Sequence, residues 1–428
     1  MMIDDAKLFR KLRLRVMPIL VLCFVAAYVD RANLGFAAIA MNAKYGFSAT
    51  VYGWAAGIFF LGYTLVEIPS NLILAKVGAR RWIARIMITW GVISCLTAFV
   101  WSAESLYVAR FLLGVAEAGF VPGVMVYLAR WFPDGERART VGWFQCGGPI
   151  SSVIAAPVSG LFMAGHGAFG LENWQLLFVM EGLPSIVMGV IVLLFLAETP
   201  DDAKWLDDAE RGRLKRRIAE DHAERDLHGV ASFKAALGSP RLLLLGIAWL
   251  LTLCGSYAVL LWLPLIVKSF GVSNGQAGWL VAIPYVLSTV AILIWTRHSD
   301  RSGERDWHFA LPLFVAAACL CSNYYIESPV LAFVALTIAA SAIWASIPTF
   351  WTLPTAFLGG TAAAGGLALV NSIGNLGGFL GPYAVGYIKD LTGSFSAGLI
   401  TLGVCLLSAG VIVLILGSAV RKPAVALI

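Results

Sequence analysis

Long apolar segments recur along the whole chain, at about 16–42, 52–76, 82–101, 105–131, 139–162 and 174–196, and again at 242–270, 275–296, 309–326, 329–353, 361–388 and 396–418. A helix rises ~1.5 Å per residue, so about 20 residues cross the hydrocarbon core of a bilayer. In that medium every backbone N–H and C=O needs a partner inside the protein, which limits spanning structures to helices and closed barrels. Segments of this length are predicted to be helices. The predicted fold is therefore an all-α polytopic membrane protein with twelve transmembrane helices. Composition agrees: 59% of the residues are hydrophobic and only 13% charged, against about 25% charged in soluble domains.

A charged stretch, 198–241, splits the segments six and six. This predicts three parts: a six-helix bundle over 1–197, a cytoplasmic linker over 198–241, and a second six-helix bundle over 242–428. Within the linker, Lys204–Arg225 mixes acids and bases at helical spacing, as an amphipathic surface helix does. The loops give the orientation. Apart from Lys44, Lys268 and Lys389, and from Arg31 and Arg110 inside the apolar segments, every one of the 31 Lys and Arg residues falls on the side of the N-terminus. The positive-inside rule then puts both termini in the cytoplasm. Lys7, Arg10, Lys11, Arg13 and Arg15 precede an apolar run as in a signal peptide. The run continues past Asp30 for a full span, however, and is read as a retained first helix. The seven cysteines are scattered in apolar runs with no disulfide framework or zinc spacing, and read as small core residues.

The two halves echo one another. Lys76-Val-Gly-Ala-Arg-Arg81 follows the second segment, and Asp300-Arg-Ser-Gly-Glu-Arg305 follows the eighth. Both place basic residues two before and two after a glycine. This pair of loops resembles the loop motif of the major facilitator superfamily, with Ala75 standing where that motif usually has Asp. Tyr28–Gly35 (YVDRANLG), Gly62–Asn71 (GYTLVEIPSN), Arg110–Gly123 (RFLLGVAEAGFVPG), Trp131–Arg139 (WFPDGERAR), Trp174–Pro184 (WQLLFVMEGLP) and Glu198-Thr-Pro resemble its anion:cation symporter branch, most closely the phthalate and tartrate permeases. The likeness is dense in the N-terminal half and thin in the C-terminal half. It implies two pseudo-symmetric six-helix bundles and proton-coupled import of an organic carboxylate by alternating access, in a bacterial inner membrane.

Candidate site residues are the polar groups at mid-membrane depth. Asp30 and Arg31 are adjacent in the middle of the first segment, where a bare charge costs roughly 2.5–3.5 kcal/mol. Such a pair predicts a watery or protein-lined cavity. Arg31 has the planar fork that binds a carboxylate bidentately, or it neutralises its neighbours. Glu117 is near the middle of the fourth segment, and Arg110, two turns earlier, shares its face. Arg110 lies close to the outer end, from where it can snorkel. Glu117 is either one partner of a buried ion pair or a proton acceptor. A carboxylate whose arginine leaves it for an anionic substrate would take up a proton. The resemblance implies protonation at Asp30 and Glu117, assisted by Arg31 and Arg110, and a substrate contact at Tyr63. Glu67 and Asn71 extend the Tyr63 stripe toward the inner end, as gate residues would. Gln145 in the fifth segment is placed to donate to substrate or to bond another helix. In the second half, Asn371 and Asn375 share one face among several glycines, and Tyr257, Trp262, Tyr285, Trp344 and Trp351 supply aromatic surface. Substrate contact is assigned among these to Tyr257, Trp344, Asn371 and Asn375.

Other classes are excluded on the residues. Gly359-Gly360 and Gly365-Gly366 lack the Lys-Ser/Thr of a P-loop. Gly114, Gly119 and Gly123 read as helix-packing glycines. The five histidines lie outside the predicted midplane, which argues against a histidine proton relay. No nucleophile-base set or metal-ligand cluster marks an enzyme, and no loop is large enough for a sensor's output domain. A monomer is expected, with lipid and a small organic carboxylate as its partners, no nucleic acid, no metal, and no cofactor beyond protons as the coupling ion. An exchanger or exporter of organic anions is the alternative. The topology is checked by single cysteines: at Ala168 and Ser328 they should react with an impermeant reagent from outside, and at Asp208 only from inside. External labelling at Asp208 in sealed cells would reverse the orientation.

Overall fold

The computed structural model describes residues 5–145, 147–226, 238–355 and 360–421. These residues are almost entirely helical: α1 (Asp5–Tyr45), α2 (Ala49–Val77), α3 (Ala79–Thr97), α4 (Ala103–Glu117), α5 (Phe120–Trp131), α6 (Asp134–Gln145), α7 (Gly147–Ala164), α8 (Asn173–Phe195), α9 (Asp208–Asp226), α10 (Pro240–Ser269), α11 (Asn274–Ser302), α12 (Asp306–Ser322), α13 (Pro329–Phe350), α14 (Thr352–Thr355), α15 (Gly360–Thr392) and α16 (Phe395–Arg421). Among the described residues, nine spans are long and apolar enough to cross a membrane. They are α1, α2, α4 with α5, α6 with α7, α8, α10, α11, α13 with α14, and α16. The other three spans are α3, which opens on Arg80, Arg81 and Arg85, the shorter α12, and the glycine-rich α15.

The spans alternate in direction, and contacts at the two faces of the bundle show it. On the face that carries the N-terminus, Asp5 meets Arg213 and Arg217, Arg13 meets Glu136, and Glu198 meets the start of α3. On the far face, Tyr45 donates to the Val100 carbonyl, Lys44 meets Glu172, and Gln175 donates to the Ala98 carbonyl.

The packing partners repeat between the halves. α3 packs on α8 as α12 packs on α16, and α2 on α4 as α11 on α13. α1 packs on α7 and α8 as α10 packs on α15 and α16. The two halves touch through α2 with α15, α7 with α11, and α1 with α10. A two-fold operation that exchanges the halves maps each of these three seams onto one of the three. This is the architecture of two pseudo-symmetric six-helix bundles.

The seam is tightest at the far face. A methyl group on Gly53 would stand 2.6 Å from the Pro382 carbonyl oxygen, and one on Gly160 would stand 2.7 Å from Gly278 Cα, so only glycine allows these backbones to meet. Asp390 accepts the N–H groups of Ala49 and Thr50 at 3.0 and 2.7 Å, capping α2 from the other half. Tyr52 donates to the Leu261 carbonyl at 2.6 Å, and Asn274 donates to that of Met163 at 2.9 Å. The apolar core follows the same division. One cluster joins the C-terminal half to the far ends of α1, α2, α4, α7 and α8. A second cluster holds the N-terminal half toward the terminal face.

Two sequence expectations are corrected. The fourth segment is not one helix: α4 ends at Glu117, and Gly119 takes a left-handed φ of 88° before α5 begins. Gly119 is therefore a break point, whereas Gly114 and Gly123 do pack against neighbouring helices. The linker, from Trp205 into α9, also docks its apolar side chains on the first bundle and is not only a surface element. Leu206 and Leu214 are buried, Trp205 stacks on Trp131 with ring centroids 5.8 Å apart, and Lys11 reaches Glu210 at 2.6 Å.

Glu198 caps the helix that follows the first loop motif. Its carboxylate accepts from Ala79 N and Arg80 N at 2.9 and 2.8 Å, and pairs with Arg130 at 3.1 Å. Removing it leaves the first turn of α3 uncapped. Glu198→Ala is expected to cost about 1–2 kcal/mol. Asp201→Ala, which breaks only an exposed pair with Lys215, should cost well under ~1 kcal/mol. Thermal unfolding in detergent compares them, and equal midpoints would refute the capping role.

Candidate functional site

Adjacent residues on α1 point into different neighbours. Asp30 faces α3 and is fully buried. It accepts from Trp90 Nε1 at 2.6 Å, from Asn33 Nδ2 at 3.0 Å, and from the Ser94 hydroxyl. Three neutral donors thus stand where an arginine was the expected partner. Trp90 and Ser94 were not singled out from the sequence. Their signal was present: two side chains with polar tips, four residues apart, on one face of an apolar segment.

Arg31 faces α4. Its Nε donates to Glu117 Oε1 at 2.9 Å and its Nη2 donates to the same oxygen. The pair is therefore not a fork on a fork. Glu117 Oε2 is buried and has no hydrogen-bond partner. Arg31 Nη1 reaches across the seam to Tyr257 Oη at 3.1 Å. The rings of Tyr28, Phe59 and Tyr63 lie 5.3, 5.4 and 5.8 Å from the guanidinium carbon, within cation–π range.

Arg110 is buried and does not snorkel. Its guanidinium lies against Phe59 at 5.1 Å, while its Nε and Nη1 have no hydrogen-bond partner. Phe59 thus serves both arginines, a role unrecognised in the sequence. Asp30 and Glu117 are the carboxylates whose fields act on Arg110. Two acids and two arginines are buried in this region, and of them only Arg31 and Glu117 are hydrogen-bonded to each other.

The geometry of this cluster depends on the helix break. Glu117 is the last residue of α4, and the Ala118 carbonyl after it accepts from Ser70 on α2 at 2.6 Å. Ser70 also accepts from Trp82 Nε1 at 3.0 Å. The end of α4, and with it the carboxylate, is therefore tied to α2 and α3.

The other sequence candidates divide. Tyr63 and Tyr257 border Arg31, and Tyr257 lies against Phe60 at 4.3 Å. Trp344 faces Tyr28 with centroids 6.3 Å apart and covers Gly148. Asn371 and Asn375 face the seam, where their amides donate to Glu67 Oε1 and Oε2 at 3.0 and 3.4 Å. Glu67 and the two asparagines are thus one cross-seam group. Gln145 ends α6 with its side chain exposed and joins none of this. Trp262 belongs to the seal, donating to the Pro382 carbonyl at 3.1 Å. Tyr285 is buried with an unpartnered hydroxyl away from the cluster, and Trp351 packs on Trp249. Among the described residues no group of three or more His, Cys, Asp or Glu is arranged to hold a metal.

A twelve-span helical bundle with symmetric halves and a charged, aromatic-lined cluster at their junction has the construction of a secondary transporter. The sequence model of the Major Facilitator Superfamily matches residues 20–382 and 246–427, and the chain belongs to that superfamily. It is a multi-pass membrane transporter of small molecules and not an enzyme. A protein of Agrobacterium vitis named "Putative tartrate transporter" is 46% identical over 420 residues, covering 98% of this chain and 93% of the relative. A "Quinolone resistance transporter" of Acinetobacter baumannii is 40% identical, covering 94% and 92%. The crystal structure of a D-xylose-proton symporter superposes with a TM-score of 0.73 at 15% identity, covering 94% of this chain and 97% of that one.

The position of Arg31 gives a direct test. Arg31→Ala should lower affinity for a carboxylate substrate at least tenfold, and Arg31→Lys should recover little, because an ammonium cannot satisfy Glu117, Tyr257 and a ligand through a planar fork. Calorimetric titration of purified protein reads this. Near-normal affinity in the lysine variant would make Arg31 a structural residue.

Proposed function

We propose that this protein is a proton-coupled symporter that imports an organic carboxylate by alternating access across a bacterial inner membrane, with both termini in the cytoplasm. The observation that carries this reading is the Arg31–Glu117 pair: a guanidinium held by one carboxylate oxygen, while the other oxygen of Glu117 is buried and unpartnered. An incoming carboxylate competes for Arg31. As it binds, Glu117 loses its counter-charge while fully buried, and burying a second unpaired anion is unfavourable. Glu117, with Asp30 as a second acid at the same depth, then takes up a proton. Proton and substrate raise each other's affinity by linkage. Arg110 holds the remaining negative charge in balance. No cofactor beyond the proton takes part.

Tyr63, Tyr257, Trp344, Asn371 and Asn375 are the proposed walls of the site, and Gln145 keeps that role only if the halves rearrange around it. These walls suit a carboxylate with a ring or with hydroxyl groups. The similarity to the tartrate protein supports a small hydroxylated diacid, and phthalate-like and sugar acids fit the same groups. The tight seam at the far face is what must part for the opposite state to form. The quinolone-resistance relative favours a second reading, export of an organic anion, in which the same cluster exchanges substrate for protons.

Glu117→Gln separates the two halves of the mechanism. It mimics the protonated acid and cannot titrate. In proteoliposomes it should retain counterflow of labelled carboxylate and lose at least tenfold of the accumulation driven by a pH gradient. Wild-type accumulation with unchanged pH dependence in this variant would remove Glu117 from coupling. Gradient-driven loss of substrate from the protein's cytoplasmic side would favour export.

A further inference from the structure

At the far face, directly above the sealed seam, lies a cavity of about 330 Å³. Its walls come from both halves. Ala38, Ile39 and Asn42 on α1 face Lys268 on α10 and Lys389 on α15. Ala38 stands seven residues beyond Arg31, two turns along the same face of α1. Between them Gly35 packs against the Leu261 carbonyl and Pro264, and Tyr52 donates to that carbonyl. The cavity and the central arginine are thus on one line, divided by the seal.

Three lysines stand on this face, and they are used differently. Lys44 is paired with Glu172, whose carboxyl it holds below the usual carboxylate range. Lys268 and Lys389 line the cavity, are half-buried, and form no ion pair among the described residues. Lys268 donates to the Val272 carbonyl at 2.8 Å. Lys389 lies 3.9 Å from the centroid of Phe395 and 6.0 Å from that of Trp262. Lys389 is therefore held by aromatic walls of the cavity, and Lys268 by a carbonyl just beyond it. The adjacent acid, Asp390, bonds both oxygens to the start of α2, and its charge offsets part of that on Lys389. The lining contains no acidic residue. A low-dielectric hollow with two fixed positive charges concentrates small anions.

We propose that this cavity is a peripheral binding site for small organic carboxylates, which holds the substrate above the closed seam before the halves part. Lys268 and Lys389 take the carboxylate charge and Asn42 hydrogen-bonds a hydroxyl. The inference rests on the carboxylate-transport reading for its ligand, but its binding site is separate from Arg31.

The test is protection of the lysines from acetylation by an amine-reactive ester, read by peptide mass spectrometry on the purified full chain in detergent. Tartrate and phthalate are the probes. Threitol and sodium chloride at equal ionic strength are the controls. At a probe concentration tenfold above its dissociation constant, modification of Lys268 and Lys389 should slow about tenfold, with Lys44 unchanged. Protection should persist in Arg31→Ala, and neither control should give it. Lys268→Gln/Lys389→Gln should raise the KM for uptake several-fold with Vmax unchanged, and Lys268→Arg/Lys389→Arg should restore it. Equal acetylation rates with and without the probes, equal protection by chloride, protection that disappears in Arg31→Ala, or an unchanged KM in the glutamine variant would each overturn the proposal. Liposomes that take up no carboxylate would instead defeat the transport reading, while the protection assay still decides this site.

Discussion

Arg31 and Glu117 meet where both are buried within the protein. Each alone would cost several kcal/mol at that depth, and together they still leave donors and an acceptor to be satisfied. The surrounding helices supply what is missing. Tyr257 accepts one N–H from across the seam, and three aromatic rings present their faces to the guanidinium. Asp30 needs a different solution because its neighbour is already engaged. It sits among the donors of α1 and α3. The helix break after Glu117, the tie from Ser70, and the burial of Trp90 all follow from the need to place these few atoms.

The symmetry of the backbone makes the asymmetry of the chemistry plain. The packing of helices in one half is repeated in the other, and the seams map onto one another. The charges are not repeated. The N-terminal half carries Asp30, Arg31, Glu67, Arg110 and Glu117, and the C-terminal half answers with Tyr257, Trp344, Asn371 and Asn375. One half therefore holds ionisable groups and the other holds neutral hydrogen-bonding and aromatic groups. On the proposed mechanism this is a division between coupling and shape recognition.

Much of this was legible in the residues, because bilayer thickness converts segment length into topology and makes a mid-span charge conspicuous. The twelve spans and the gathering of Asp30, Arg31, Arg110 and Glu117 were read in that way. Partners were less legible. Nothing local in the chain tells that Arg31 chooses Glu117 over Asp30, since both lie within reach and helix rotation decides. Phe59, Trp90 and Ser94 look like ordinary packing residues until their neighbours are placed. Arg110 reads as a snorkelling side chain because depth alone does not show that Phe59 covers it. The break at Gly119 was hidden for a related reason: in a glycine-rich apolar run, a packing glycine and a left-handed one are spelled alike. Gln145 is a polar residue at a suitable depth whose exposure at the end of α6 depth alone does not show.

The contacts across the seam differ in kind with depth, and the difference bears on how the halves can move. At the far face backbones meet through glycine, alongside hydrogen bonds that involve the backbone: Tyr52 to the Leu261 carbonyl, Asn274 to the Met163 carbonyl, and the Ala49 and Thr50 N–H groups to Asp390. At mid-depth they are hydrogen bonds between side chains: Arg31 with Tyr257, and Glu67 with Asn371 and Asn375. Parting those would leave buried donors and acceptors unpaired, a cost of about 1–3 kcal/mol each. A bound carboxylate changes that balance. Its oxygens are acceptors of the same kind as the Tyr257 hydroxyl at Arg31 Nη1 and the Glu67 oxygens at the asparagine amides. A substrate that replaces these partners keeps Arg31 and the asparagine amides satisfied while it releases Tyr257 and Glu67, so the donors that join the halves are also the groups best placed to coordinate the ligand. On this reading substrate binding loosens the mid-depth junction at the moment the proton neutralises Glu117, and the loaded site can change its exposure without carrying an uncompensated charge through the membrane.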